Sequence, residues 1–167
     1  MAYISSDKIH VFPLAKSRSN QRAANLMYED NISNIIRQLT DYPGFIITRN
    51  PDVTFNNGIL TFNKDFEFNL WGHYFRIEKD VTVNLGGSLV TDIYASIITD
   101  TDTGEISNQD VNGEYQGLKI TSSNEGSHYL CLFNTLDSNT VEVCEESLFK
   151  FNNSSVNIKR IDGKRAL

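Results

Sequence analysis

From Gly44 onward the chain is a succession of short apolar-polar runs, each closed by Asn, Asp, Gly or Ser. Side chains of a strand alternate between its two faces, so this spacing marks half-buried strands, and their number and brevity mark an antiparallel sandwich or barrel. Strands are predicted over 45–49, 59–62, 66–78, 81–85, 88–99, 117–122, 128–134, 140–144 and 155–161. In the third run the apolar set Phe66, Phe68 and Leu70 changes parity to Phe75 and Ile77 across Gly72, which predicts a β-bulge in one long strand. Leu89, Ile93, Ala95 and Ile97 keep one parity, with Thr91, Asp92 and Ser96 among the polar positions, so that strand has a core face and a wetter one. Leu85-Gly86-Gly87-Ser88 supplies a tight turn before it. Tyr129-Leu130-Cys131-Leu132-Phe133 is apolar on both parities, the pattern of a central strand covered on both faces.

The segment before Gly44 has a different period. Ala24, Met27, Tyr28, Ile32, Ile35, Ile36 and Leu39 recur at spacings of three and four, which predicts an amphipathic helix over 19–42. Asn31 is placed to cap a second half, and Pro43-Gly44 ends it. Tyr28, Ile32, Ile35, Leu39 and Tyr42 would also suit a coiled-coil seam, but the run is too short for one, and packing onto a sheet is expected. Ahead of the helix, residues 1–18 hold one apolar run, Ile9 to Leu14. Pro13 removes a ladder donor from it, so it reads as an edge strand or an extended arm. The fold expected is mainly β: a sandwich or jelly-roll-like body over 43–156, one N-terminal helix, the arm, and a C-terminal tail over 157–167. At 167 residues, 40% hydrophobic and 22% charged, one such domain with a real core is the fitting size.

Charge changes the picture at two places. Asp92, Asp100, Asp102, Glu105, Asp110 and Glu114 fall within 92–116 without a Lys or Arg, whereas the tail sets Lys159, Arg160, Lys164 and Arg165 against Asp162. Separated signs of this kind serve steering and register between subunits in close contact. The net charge of −6 argues against nucleic acid as the ligand, which needs a concentrated basic face. No window approaches the length of a membrane span, and the start lacks a signal-peptide layout. The chain is therefore expected to be soluble and made in the cytoplasm, where Cys131 and Cys144 would stay core thiols, although a disulfide is open to them if their strands pair.

Candidate chemistry is sparse. There is no nucleophile elbow, no catalytic-cysteine signature and no phosphate-binding loop, and His10, His73 and His128 stand far apart within strand-like runs. Asp100-Thr101-Asp102-Thr103-Gly104-Glu105 has the look of a calcium loop, but glycine occupies its fifth position where an oxygen ligand is needed. A long polar turn is the reading that remains. No cofactor, metal site or enzymatic activity is expected. An enzyme acting on cell-wall polymer would rest only on the carboxylates of the acidic segment.

Asn31-Ile32-Ser33-Asn34-Ile35-Ile36-Arg37-Gln38-Leu39-Thr40-Asp41 resembles the amino-terminal helix of small virion proteins of tailed bacteriophages. Gly44-Phe45-Ile46-Ile47-Thr48, the run from Phe66 to Phe75, Tyr115-Gln116-Gly117-Leu118-Lys119-Ile120 and Ile161-Asp162-Gly163-Lys164 extend the likeness. It implies a tail, baseplate, neck or head-fibre component, located in the virion, repeated as a trimer or ring and acting by assembly with itself and other virion proteins. On that expectation Ile9, Val11 and Phe12 of the arm and Lys159, Arg160, Lys164 and Arg165 of the tail are the candidate partner contacts. The rival reading is a carbohydrate-binding, receptor-recognising module using Trp71 and Tyr74, against which stands the tendency of a lone tryptophan to fill a core or interface. Removing residues 157–167 is expected to leave the β body folded and to weaken a contact with another subunit; equal incorporation of the truncated chain into particles would contradict this.

Overall fold

The computed structural model of the protein describes residues 3–12, 35–36, 43–86, 91–99, 101–102, 106–107, 110–122, 128–137 and 139–149. In chain order its strands are β1 (Ile4–Ser5), β2 (Ile9–Phe12), β3 (Gly44–Ile46), β4 (Val53–Asn56), β5 (Ile59–Phe62), β6 (Phe66–Leu70) and β7 (His73–Ile77). There follow β8 (Thr82–Asn84), β9 (Ile93–Ile97), β10 (Asp110–Val111), β11 (Glu114–Tyr115), β12 (Leu118–Thr121), β13 (His128–Asp137), β14 (Thr140–Val143) and a 3₁₀ turn at Glu145–Ser147. They form two four-stranded sheets, ordered β2-β7-β6-β3 and β12-β9-β13-β14, and two three-stranded ones, β4-β5-β8 and β1-β11-β10. Every strand-strand pairing among them is antiparallel. The mainly β, antiparallel expectation holds, and the sheets are arranged consistently with a β-sandwich.

One apolar core joins the sheets. Phe66 and Phe68 on β6 and Phe75 on β7 point inward from one large sheet, Phe133 on β13 from the other and Phe62 on β5 from a third, all essentially without exposure. Phe133 lies 5.5 Å from Phe66 and 6.3 Å from Phe62 between ring centroids, and Phe68 stacks on Phe75 at 5.2 Å. Each ring buries on the order of 1.5–3 kcal/mol of apolar surface, and tilted aromatic pairs add about 0.5–1.5 kcal/mol through their geometry.

The parity change at Gly72 has a different cause from the one its pattern predicts. Residues 66–78 are two strands, not one bulged strand, and Trp71-Gly72 is the turn between them, with φ of 55° and 82°. A two-residue loop makes Leu70 and His73 direct partners, so Phe75 and Ile77 fall on the same face as Phe66 and Phe68. A bulge and a two-residue turn flip parity alike. Asn57-Gly58 and Asn112-Gly113 build the same turn with φ of 50° and 79°, and of 53° and 81°. They join β4 to β5 and β10 to β11, hairpins that the strand assignment above leaves out, although Asn-Gly is the strongest local hairpin signal.

A bulge does occur, in β13. Its register with β9 shifts between Cys131 and Phe133, so the consecutive Leu132 and Phe133 are both fully buried. This corrects the doubly covered strand: β13 is central, between β9 and β14, but Tyr129 on its other face is 40% exposed. The segment read as an edge strand or an extended arm contributes β1 and β2 to the chain's own sheets, and β2 lies at the edge of its sheet. Gly44 belongs to β3, where it runs so close to β6 that a Cβ would meet the Asn69 carbonyl oxygen at 2.0 Å. Of the helix predicted over 19–42, only Ile35 and Ile36 are described, and both are helical; the rest, the strand predicted at 155–161 and the basic tail lie outside the described residues.

Replacing Phe133 by Ala is expected to cost about 3–5 kcal/mol, because it removes the ring shared by three sheets, while Ile59→Ala at a 42% exposed position should cost far less. Urea unfolding of both variants checks the ordering.

Candidate functional site

The outer face of the β2-β7-β6-β3 sheet is polar and internally paired. β2 lies at its edge, with His10 opposite Arg76 and Phe12 opposite Tyr74. The His10 ring pairs with the Glu78 carboxylate at 2.6 Å and Lys8 approaches the same carboxylate at 3.5 Å. Arg76 meets Asp65 at 3.3 Å, and Asp65 also accepts the backbone N–H of Lys79 at 2.9 Å. The hydrogen bond from His10, followed by the charge of Lys8, holds Glu78 below its ordinary 4.5. Asp65 is held below 3.8, chiefly by the Lys79 N–H. Exposed pairs of this sort fix a face more than they stabilise a fold.

Five of the candidate residues from the sequence, Ile9, Val11, Phe12, Trp71 and Tyr74, lie on this sheet or in its β6–β7 turn. Ile9 and Val11 are 6% and 7% exposed and belong to the chain's own core, so their side chains are spent on packing within the chain. Trp71 occupies the β6–β7 turn with a positive φ that a bulky residue rarely adopts. Its backbone N–H donates to the Pro43 carbonyl at 2.8 Å, the Gly72 N–H donates to Asn69 Oδ1 at 3.2 Å, and its ring stacks on His128 at 3.6 Å, 9° from parallel. The turn is thereby over-determined, and one indole face is taken by the imidazole. Tyr74 donates a hydrogen bond to Glu67 across the hairpin. Lys159, Arg160, Lys164 and Arg165 lie outside the described residues.

A different feature appears where β3 ends. Ile46 forms a parallel bridge with Leu148, Phe149 N–H donates to the Ile46 carbonyl at 3.0 Å, and the rings of Phe45 and Phe149 sit 5.0 Å apart at 52°. These residues, with Ile47, Arg49 and Asn50, enclose an open groove of about 730 Å³. Ile47 and Phe149 are 36% and 37% exposed there, so the groove is apolar along its wall and cationic at Arg49. Sequence reasoning did not single it out, although a signal existed: Phe45, Ile46 and Ile47 are consecutive apolar residues at the end of β3, and of the three only Ile46 is buried.

Cys131 and Cys144 are free thiols, half-buried and buried respectively, and burial followed by the neighbouring Cys144 raises the Cys131 thiol well above its ordinary range. Such a thiol is a poor nucleophile. Among the described residues, no three His, Cys, Asp or Glu side chains gather as a metal site would require. No helix of the described residues is long and apolar enough to cross a membrane. Comparison with family models, with curated proteins and with solved structures finds no match.

Burial, then the Glu67 hydrogen bond, pushes the Tyr74 phenol from 10.0 up to about 12. Its folded-state value being the higher one, its contribution to stability is complete below pH 10 and is lost as pH rises toward 12. Tyrosinate absorbance of the folded chain should show a late-titrating phenol that Tyr74→Phe removes; an unchanged titration would contradict the pairing with Glu67.

Proposed function

We propose that the chain is a non-enzymatic structural subunit of a bacteriophage particle, connecting or decorating tail, baseplate, neck or head-fibre parts through subunit contacts. In this reading the β body is jelly-roll-like, the 19–42 segment is its amphipathic helix, the basic C-terminal tail reaches to neighbours, and copies assemble as a trimer or ring in the virion. The observation that carries it is the groove at the end of β3, where Ile47 and Phe149 hold apolar surface in solvent beside Arg49. Grouped apolar side chains rimmed by charge are the anatomy of a protein contact, since covering them releases water while the cation sets orientation. The polar ladder on the β2-β7-β6-β3 sheet supports the reading in a second way. Its charges are paired within the chain, so in this reading attachment falls to the apolar groove rather than to this face. Nucleic acid, membrane and cofactor have no part in it.

Light scattering coupled to size exclusion, on the full chain at low and moderate salt, tests it. A discrete trimer or larger ring is expected, and Ile47→Asp should shift the mass toward the monomer with unchanged circular dichroism. A wild-type chain that is monomeric at every concentration, and that co-assembles with its neighbours no better than Ile47→Asp, would overturn the proposal.

A further inference from the structure

A second depression, beside β5 and β8, has a different chemistry. It is an open cleft of about 590 Å³ walled by Tyr3, Ile59, Thr82, Asn84, Asn112 and Glu114. That volume lies within the roughly 300–1,000 Å³ of small-molecule sites. We infer that this cleft is a binding site for a neutral saccharide, separate from Trp71 and Tyr74 and independent of the groove at β3.

A sugar ring presents hydroxyls in fixed directions around an apolar C–H face, so its site must offer both kinds of surface side by side. The Tyr3 ring and Ile59, whose side chain stays 42% exposed, supply the apolar part. The two amides donate and accept, the Thr82 hydroxyl does both, and the Glu114 carboxylate accepts. Strand register places them: Ile59 is the direct partner of Asn84, and Thr82 lies two positions before Asn84 on the same outward face. Across the cleft Glu114 pairs with Ser5, which also lines it.

The walls are fixed before any ligand arrives. Asn112 and Gly113 form a two-residue turn with positive φ at both positions, closed by Asp110 Oδ1 accepting from the Gly113 N–H at 2.9 Å. Ser6 N–H donates to the Gly113 carbonyl at 2.7 Å, which ties that turn to the N-terminal strand. On the other wall Asn84 Oδ1 accepts from the Gly86 N–H at 2.9 Å, which sets the plane of its amide. A preformed site avoids much of the ordering cost that weakens small-ligand binding. The lining also selects by charge. It holds one carboxylate and, among the described residues, no Lys, Arg or His, so a sialylated or phosphorylated glycan would bring an anion against Glu114 without a counter-charge.

The test is a glycan array carrying neutral, sialylated and phosphorylated glycans and bacterial polysaccharides, probed with the full chain and followed by titration of the best neutral glycan against ¹⁵N-labelled protein. Neutral glycans should be retained over anionic ones, with amide shifts centred on Thr82, Asn84, Gly113 and Glu114. The near-isosteric Thr82→Val and Glu114→Gln should each weaken binding by roughly 3–10-fold, with circular dichroism unchanged, while Trp71→Phe leaves it as it was. Silence of every neutral glycan overturns the inference. So do shifts centred on Trp71 and Tyr74, or affinities untouched by both cleft variants.

Discussion

The ring of Phe133 is the constraint on which the rest of the molecule depends. It stands on β13 in one four-stranded sheet, touches Phe66 on the other, and reaches Phe62 on β5 of a third. Three sheets meet at that side chain because the β13 bulge turns it inward directly after Leu132. Without the extra residue, strict alternation would send one of the two into solvent, and the sheet would lose either an aliphatic filler or its aromatic link. The meeting of the three sheets is thus set by a one-residue irregularity in a ladder and supported by dense packing, with Cys131 and Cys144 left as free thiols.

The same packing decides where surface features fall. β6 and β7 face inward with Phe66, Phe68, Phe75 and Ile77, so their other parity, Glu67, Tyr74 and Arg76, must carry the polar ladder. At the margin, β3 is only three residues long and pairs in the main with β6. Ile47 therefore escapes the core although its neighbour Ile46 is fully buried, and the groove follows from that short edge. The polar cleft arises likewise, from the outward face of β5 and β8 meeting the turn of β10 and β11.

Fold class was legible from alternation alone, and β5 was legible to the residue, since Ile59-Leu60-Thr61-Phe62 is bounded by glycine and asparagine. Misreadings came from patterns with two physical causes. A parity change across Trp71-Gly72 suits a bulge or a turn, and only the pairing of Leu70 with His73 separates them. Apolar residues on both parities around Leu132 suit a doubly covered strand or a bulge, and the exposed Tyr129 decides. β10 and β11 are two residues each, too short for periodicity to register, though Asn112-Gly113 marked their turn. For the surface sites, sequence offered residue types without neighbours. Tyr3, Asn84 and Glu114 are distant in the chain and acquire a shared chemistry only through the registers of β1 with β11 and β5 with β8.

The place of β2 at the sheet edge also bears on how the chain is made. Its His10 must find Glu78, 68 residues later, and the backbone ladder with β7 spans a similar gap. The hairpins closed by Trp71-Gly72, Asn57-Gly58 and Asn112-Gly113 join neighbours in sequence and can form within about 1–10 μs of emerging. A ribosome adding about 5–20 residues per second takes several seconds to deliver the strand that β2 requires. During that interval Ile9 and Val11, which end among the buried residues, have no partner strand to cover them. The first strand of its sheet to be synthesised is then the last to dock, and the seconds before it does are when that apolar segment is open to chaperones or to another nascent copy.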